Sequence, residues 1–200
     1  MVMNKKELAP GIVLYKDIFN GYQTLISDIE NAVDSKITSW SQASVVEKNF
    51  DGINTESRDT LSLIVPHLNN LSPNLSIPPN SFNYNLSKIF FKVFDPFERD
   101  YMFMYNVWAP THDQYSILKY GVGQKFINHI DDCQDYHRRI STVYYVNDDY
   151  VGGEIEFPRF NISYKPKANE LLIFPSTYVY NHSVNRVIEG TRYSIVSWLK

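Results

Sequence analysis

Two stretches decide the fold: Ile140-Ser-Thr-Val-Tyr-Tyr-Val146 and Thr191-Arg-Tyr-Ser-Ile-Val-Ser-Trp-Leu199. Both are dense in β-branched and aromatic residues, which fit a pleated, half-buried surface better than a helix. In the second, Arg192, Ser194, Val196 and Trp198 stand two apart and therefore share one face of a strand. Working outward, the same texture fills the chain from Tyr115 on, punctuated by Gly, Pro and Asn-Asp. Strands are expected near 116–120, 125–129, 140–146, 154–157, 162–164, 171–174, 179–182 and 191–199. That many short strands with turn residues between them indicate a sandwich or barrel.

Upstream the period changes from two to 3.6. Ile18, Phe19, Tyr22, Leu25, Ile26, Ile29 and Val33 would line one face of a helix starting near Asp17. Leu61, Ile64, Val65 and Leu68, after Ser57 as a cap, suggest a second helix that Pro66 ends or kinks. Leu86, Ile89, Phe90, Val93, Phe94 and Phe97 give the strongest helical stripe, with Pro96 expected to bend it. Helices first and strands second predict an α+β fold. The reading is one domain over 1–200, with a mainly helical buttress over 1–110 and the strand-rich core over 111–200.

Composition agrees. The chain has 200 residues, 44% hydrophobic and 20% charged, which suits one globular domain and excludes a disordered or fibrous polypeptide. A net charge of −3 gives no electrostatic reason to expect nucleic acid or an anionic membrane as partner. The single cysteine, Cys133, permits no intrachain disulfide and no cysteine-based zinc cluster. With no apolar secretion core near the start and no long apolar span, the sequence reads as a soluble, cytoplasmic protein.

The polar chemistry collects in the second half. His129 and Asp131 are two apart, so on a strand they project to one side and can converge on an ion. Asp132 competes by adjacency, but the i, i+2 geometry favours Asp131. His182, following the apolar run Leu171-Leu-Ile-Phe-Pro175, supplies a third donor. Two imidazoles and one carboxylate suit non-haem Fe(II) and leave positions open for other ligands, unlike a closed structural zinc site. Arg192 begins the last strand, facing inward with Ser194, where it can grip a carboxylate with two parallel hydrogen bonds. A surface arginine is the plain alternative. His67, His112 and His137 show no partner pattern, and Cys133 reads as a passive residue.

His129-x-Asp131, His182 and Arg192, in that order, follow Tyr120-Gly-Val-Gly-Gln-Lys-Phe126 and accompany Thr142-Val-Tyr-Tyr-Val-Asn147, Gly152-Gly-Glu-Ile-Glu-Phe157, Leu172-Ile-Phe-Pro175, His182-Ser-Val184 and Gly190-Thr-Arg-Tyr193. This ordered set, from about Tyr115 to Trp198, resembles the Fe(II)/2-oxoglutarate-dependent dioxygenases of the prolyl 4-hydroxylase type. The resemblance implies a double-stranded β-helix, or jelly roll, with N-terminal helices packed on the major sheet. It implies that His129, Asp131 and His182 hold iron. It also implies that Arg192 pairs with the distal carboxylate of 2-oxoglutarate, that Tyr145 shares that carboxylate, and that Tyr120 and Trp198 line the pocket. For the three aromatics, ordinary barrel packing is the plain alternative.

The implied cofactors are Fe(II), 2-oxoglutarate as co-substrate and O2, with ascorbate allowed as an auxiliary reductant. The implied reaction hydroxylates an unactivated C–H bond and releases succinate and CO2. Its first-choice substrate is a prolyl residue in a peptide or protein. A free amino acid or small metabolite is the alternative. Nucleobase demethylation, suggested by the spacing of Arg186 and Arg192, is disfavoured by the acidic charge, and a jelly-roll binding module by the complete set of donors. One departure stands out: many collagen-type prolyl hydroxylases use lysine where this chain has Arg192, and the chain lacks room for their separate peptide-binding domain.

Overall fold

The computed structural model describes residues 3–47, 50–68, 78, 80–132 and 137–200. Cys133 lies outside the described residues. The first half contains β1 (Lys5–Ala9), β2 (Ile12–Lys16), α1 (Leu25–Asp34), β3 (Ser41–Gln42), β4 (Val45–Glu47), β5 (Phe50–Gly52), β6 (Arg58–Asp59), β7 (Leu61–Val65) and α2 (Phe82–Met104). Then come β8 (Tyr115–Tyr120), β9 (Lys125–His129), β10 (Ile140–Tyr145), β11 (Val151–Gly152), β12 (Ile155–Phe157) and β13 (Ile162–Tyr164). The chain ends with β14 (Glu170–Pro175), β15 (His182–Val184), β16 (Val187–Glu189) and β17 (Arg192–Leu199).

The major sheet runs β1-β2-β14-β10-β17-β8-β7-β3 and a smaller one β13-β12-β15-β9-β6. Every recorded pairing in both is antiparallel. This is the jelly roll. Its two faces follow from alternation: in β14, Leu171 and Ile173 face the helices while Leu172 and Phe174 face the barrel. In β17, Tyr193, Ile195 and Leu199 take the helix side. Val196 and Trp198 belong to the barrel interior, whose other wall carries Ile155, Phe157 and Val184.

Helix α2 starts at Ser81, whose hydroxyl accepts from the Tyr84 backbone N–H at 3.3 Å. It buries Leu86, Phe90, Phe94, Phe97 and Tyr101 along one stripe against the outer face of the major sheet, Phe94 packing on Tyr144 at 5.4 Å. Each large apolar side chain so buried contributes about 1.5–3 kcal/mol, well beyond propensity differences between residues. The helix accordingly runs unbroken through Pro96.

The first half departs from expectation in three places. The stretch 61–65 is a strand, β7, because Leu63 and Val65 alternate with exposed Ile64 and the segment pairs with β8. Helix α1 begins at Leu25 and not near Asp17, since Asp17 (φ 57°) and Gly21 (φ 110°) are left-handed. The buttress over 1–110 is therefore only partly helical: β1, β2, β3 and β7 complete the major sheet and β6 joins the smaller one. In the second half His182 opens a strand, where it was expected to close one, and a short 3-10 turn, Tyr178–Tyr180, precedes it. Among the described residues no helix is long and apolar enough to cross a membrane.

Candidate metal centre and acid pocket

His129 ends β9 and His182 begins β15, and the two are register partners across the smaller sheet. Their rings lie 4.2 Å apart, and Asp131, just past β9, sits against both. His129 Nε2 is 3.7 Å from Asp131 Oδ1, and His182 Nε2 is 3.7 Å from Asp131 Oδ2. One donor atom from each residue falls within 4.8 Å of the others. In both histidines Nδ1 donates to the carbonyl two residues back, Ile127 at 2.8 Å and Tyr180 at 3.1 Å. A carbonyl can only accept, so the proton sits on Nδ1 and the Nε2 lone pairs are left for the shared space.

Burial and the neighbouring His182 push the His129 imidazole well below its ordinary range, which keeps it neutral. Burial would raise the Asp131 carboxyl, but His182, His129 and the Ser141 hydroxyl outweigh it and hold Asp131 below the usual carboxylate range. A neutral nitrogen thus faces an ionised carboxylate, and a cation between them would satisfy both. Ser141 Oγ donates to Asp131 Oδ2 at 2.6 Å and lies 2.8 Å from Ser176 Oγ. Phe126 stacks on the His129 ring at 3.5 Å. Sequence reading missed Ser141, although Ser141, Val143 and Tyr145 alternate on the barrel face of β10; it missed Phe126 for lack of any spacing signal.

The second feature lies deeper in the barrel. Register places Arg192 beside Tyr120 and Ser194 beside Tyr145. Arg192 is 1% exposed, so the surface reading of that residue does not hold. Its guanidinium carbon is 4.9 Å from the Tyr120 ring and 5.3 Å from the Tyr145 ring, and Nη1 donates to Ser194 Oγ at 3.0 Å. Among the described residues no carboxylate pairs with it, and Nε and the Tyr145 hydroxyl, both buried, have no hydrogen-bond partner. A buried cation and a buried hydroxyl left unsatisfied call for an anion. One cavity joins these parts, lined by Tyr120, His129, Asp131, His182, Arg192 and Trp198. It meets an outer cleft of about 580 Å³ bounded by Arg58, Gln114, Ser116, His129, Asp131 and Trp198.

Of the other polar candidates, Asp132 is tied by its backbone to the Ser176 carbonyl, and His137 is exposed. His67 and His112 do have partners: their rings stack at 4.4 Å on the helix side of the sheet, and His112 Nε2 lies 3.6 Å from buried Glu98.

A jelly roll that presents two imidazoles and a carboxylate on one face, with open positions beside a buried cation, defines the class of mononuclear non-haem oxygenases. Residues 115–200 match the family model of the 2OG-Fe(II) oxygenase superfamily. This part of the chain is thus a 2OG-Fe(II) oxygenase domain, prolyl 4-hydroxylase-like in fold, and the family implies a dioxygenase that uses Fe(II), 2-oxoglutarate and O2. A prolyl hydroxylase from Trichoplax adhaerens, solved with a hypoxia inducible factor oxygen degradation domain peptide fragment, superposes with a TM-score of 0.74 at 16% identity, over 94% of this chain and 83% of that one. A Pseudomonas putida prolyl-4-hydroxylase gives 0.71 at 15%, over 95% and 92%. The viral collagen prolyl hydroxylase of Paramecium Bursaria Chlorella virus-1, solved as its 2OG complex, gives 0.61 at 15%, over 94% and 95%. At these identities the likeness is one of fold. No curated protein sequence matches the chain.

Both groups that the family implies are compatible with the residues present. Three converging lone-pair donors suit Fe(II), and the unpaired guanidinium and hydroxyl suit the free carboxylate of a 2-oxo diacid.

Proposed function

We propose that this chain is an Fe(II)- and 2-oxoglutarate-dependent hydroxylase of prolyl residues in a peptide or protein. His129, Asp131 and His182 hold the metal, and Arg192 with Tyr145 anchors the distal carboxylate of 2-oxoglutarate. Bound there, iron couples conversion of 2-oxoglutarate and O2 to succinate and CO2 with hydroxylation of a C–H bond. The protein's task is positioning: Ser141 orients the Asp131 carboxylate, the two carbonyls behind the histidines fix their tautomers, and the apolar barrel wall excludes water from the metal. Tyr120 and Trp198 shape the passage between the acid pocket and the metal.

The observation that carries the reading is Arg192, fully buried with no counter-ion among the described residues, in the same cavity as the three donors. A binding module has no use for that pairing. The prolyl substrate rests on the prolyl hydroxylase fold and on the outer cleft of about 580 Å³ beside His129 and Asp131. The chain is read as one domain because strands of both halves hydrogen-bond into the same major sheet.

The test is Fe(II)-dependent succinate formation with proline-containing peptides, free amino acids and oligonucleotides offered in parallel. Turnover stimulated by a prolyl peptide, with mass gain of one oxygen on proline, supports the proposal. Stimulation only by a free amino acid would replace the substrate, and no iron-dependent consumption of 2-oxoglutarate would overturn the enzyme reading.

A further inference from the structure

Arg192 and Tyr145 leave a third polar group at the same place unused. Tyr150 follows β10 in the turn to β11, is 5% exposed, and its hydroxyl is buried beside the Arg192 guanidinium, which it meets as an acceptor. A guanidinium can only donate, so the phenol oxygen accepts from it and the O–H hydrogen is left without an acceptor among the described residues. The charge facing that hydroxyl is Arg192. Burial pushes the phenol up, and the guanidinium beside it opposes the rise.

Local geometry holds these two side chains together. Gly153 has φ +66°, and a Cβ there would stand 2.9 Å from Arg192 Cδ and 3.0 Å from Tyr150 Cε2. The missing side chain is therefore the space in which arginine and ring meet. Lys165 fixes the ring: its Nζ lies 3.3 Å from the ring centroid and donates to the carbonyls of Tyr150, at 2.9 Å, and Gly152, at 2.6 Å. A cation over the ring draws density from the phenol and makes its O–H a better donor.

The arginine needs such help. Nη1 is already donated to Ser194. A planar fork grips a carboxylate with two parallel hydrogen bonds, about half of its roughly four acceptor sites, and the hydroxyls of Tyr145 and Tyr150 flank the guanidinium.

We propose that Tyr150 is a further acid-binding residue, donating its hydroxyl beside Arg192 and Tyr145 to the distal carboxylate of the co-substrate, and that Lys165 is its positioning residue. The site so built selects a 2-oxo diacid over a 2-oxo monoacid. This rests on the assignment of Arg192 made above.

The experiment is calorimetric binding to the protein loaded with Mn(II), so that no turnover occurs, comparing 2-oxoglutarate with 2-oxopentanoate, which carries a methyl group in place of the distal carboxylate. Tyr150→Phe is expected to weaken 2-oxoglutarate about tenfold or more, as for loss of one hydrogen bond to a charged group, and to leave 2-oxopentanoate unchanged. Lys165→Met is expected to give a smaller loss with the same selectivity. Unaltered 2-oxoglutarate affinity in Tyr150→Phe, or equal losses for both acids in either variant, would overturn the proposal. Failure of the underlying assignment looks different: the wild type itself would then show no preference between the acids, and Arg192→Met would change nothing.

Discussion

Replacing Arg192 by methionine separates binding from folding. In an ordinary buried ion pair, removing one partner strands the other charge and costs about 3–5 kcal/mol. Arg192 is 1% exposed and has no carboxylate partner among the described residues, so nothing is stranded. Taking a desolvated charge out of the barrel returns about 1–4 kcal/mol. Against that stand the hydrogen bond to Ser194, about 1.5–3 kcal/mol, and the contacts with the Tyr120 and Tyr145 rings, about 0.5–2 kcal/mol each. The opposing terms come to about 2.5–7 kcal/mol and exceed the return by about 2 kcal/mol at mid-range, so the unliganded variant should unfold about 4–9 °C below wild type. Ligand separates the two. At a hundred times its dissociation constant, 2-oxoglutarate stabilises the wild type by about 2.7 kcal/mol, roughly 5–10 °C for a chain of this size, and should not raise the variant's unfolding temperature. Thermal unfolding of both proteins with and without 2-oxoglutarate is the assay. A variant that keeps the ligand-induced rise refutes the argument.

Asp131→Ala and His182→Ala should abolish metal-dependent succinate formation while leaving far-UV circular dichroism unchanged; full activity in either would disprove the ligand assignment. Ser141→Ala removes the hydroxyl that orients Asp131 and should weaken Fe(II) binding about 10–100-fold, measured by metal titration, with the fold intact. A pH-dependent outcome is expected on the helix side of the sheet. Burial pushes the Glu98 carboxyl up to about 8 from 4.5. With the folded value above the unfolded one, its contribution is complete below pH 4.5 and lost as pH rises toward 8. Glu98→Gln should match wild type in unfolding temperature near pH 4 and exceed it increasingly up to pH 8. A difference constant with pH would show that Glu98 titrates normally.

Alternation carried much of the fold in the sequence. Arg192, Ser194, Val196 and Trp198 face the barrel as their spacing requires, and the stripe from Leu86 to Phe97 became the buried face of α2. The order of His129, Asp131, His182 and Arg192 along the chain pointed to one site, and the structure brings the first three together and buries Arg192 in the same cavity. The stretch 61–65 was ambiguous because five apolar-rich residues satisfy either period, and pairing with β8 settled it.

What local pattern determined was which side chains share a face, since that depends only on backbone period. Tertiary structure alone decided which faces meet. It set the register that puts His129 opposite His182, the hydroxyl of Ser141 against Asp131, and the Arg192 guanidinium beside the ring that Lys165 holds near Gly153. Those are contacts between residues distant in sequence, fixed by packing two sheets around one interior, and no single-strand periodicity encodes them.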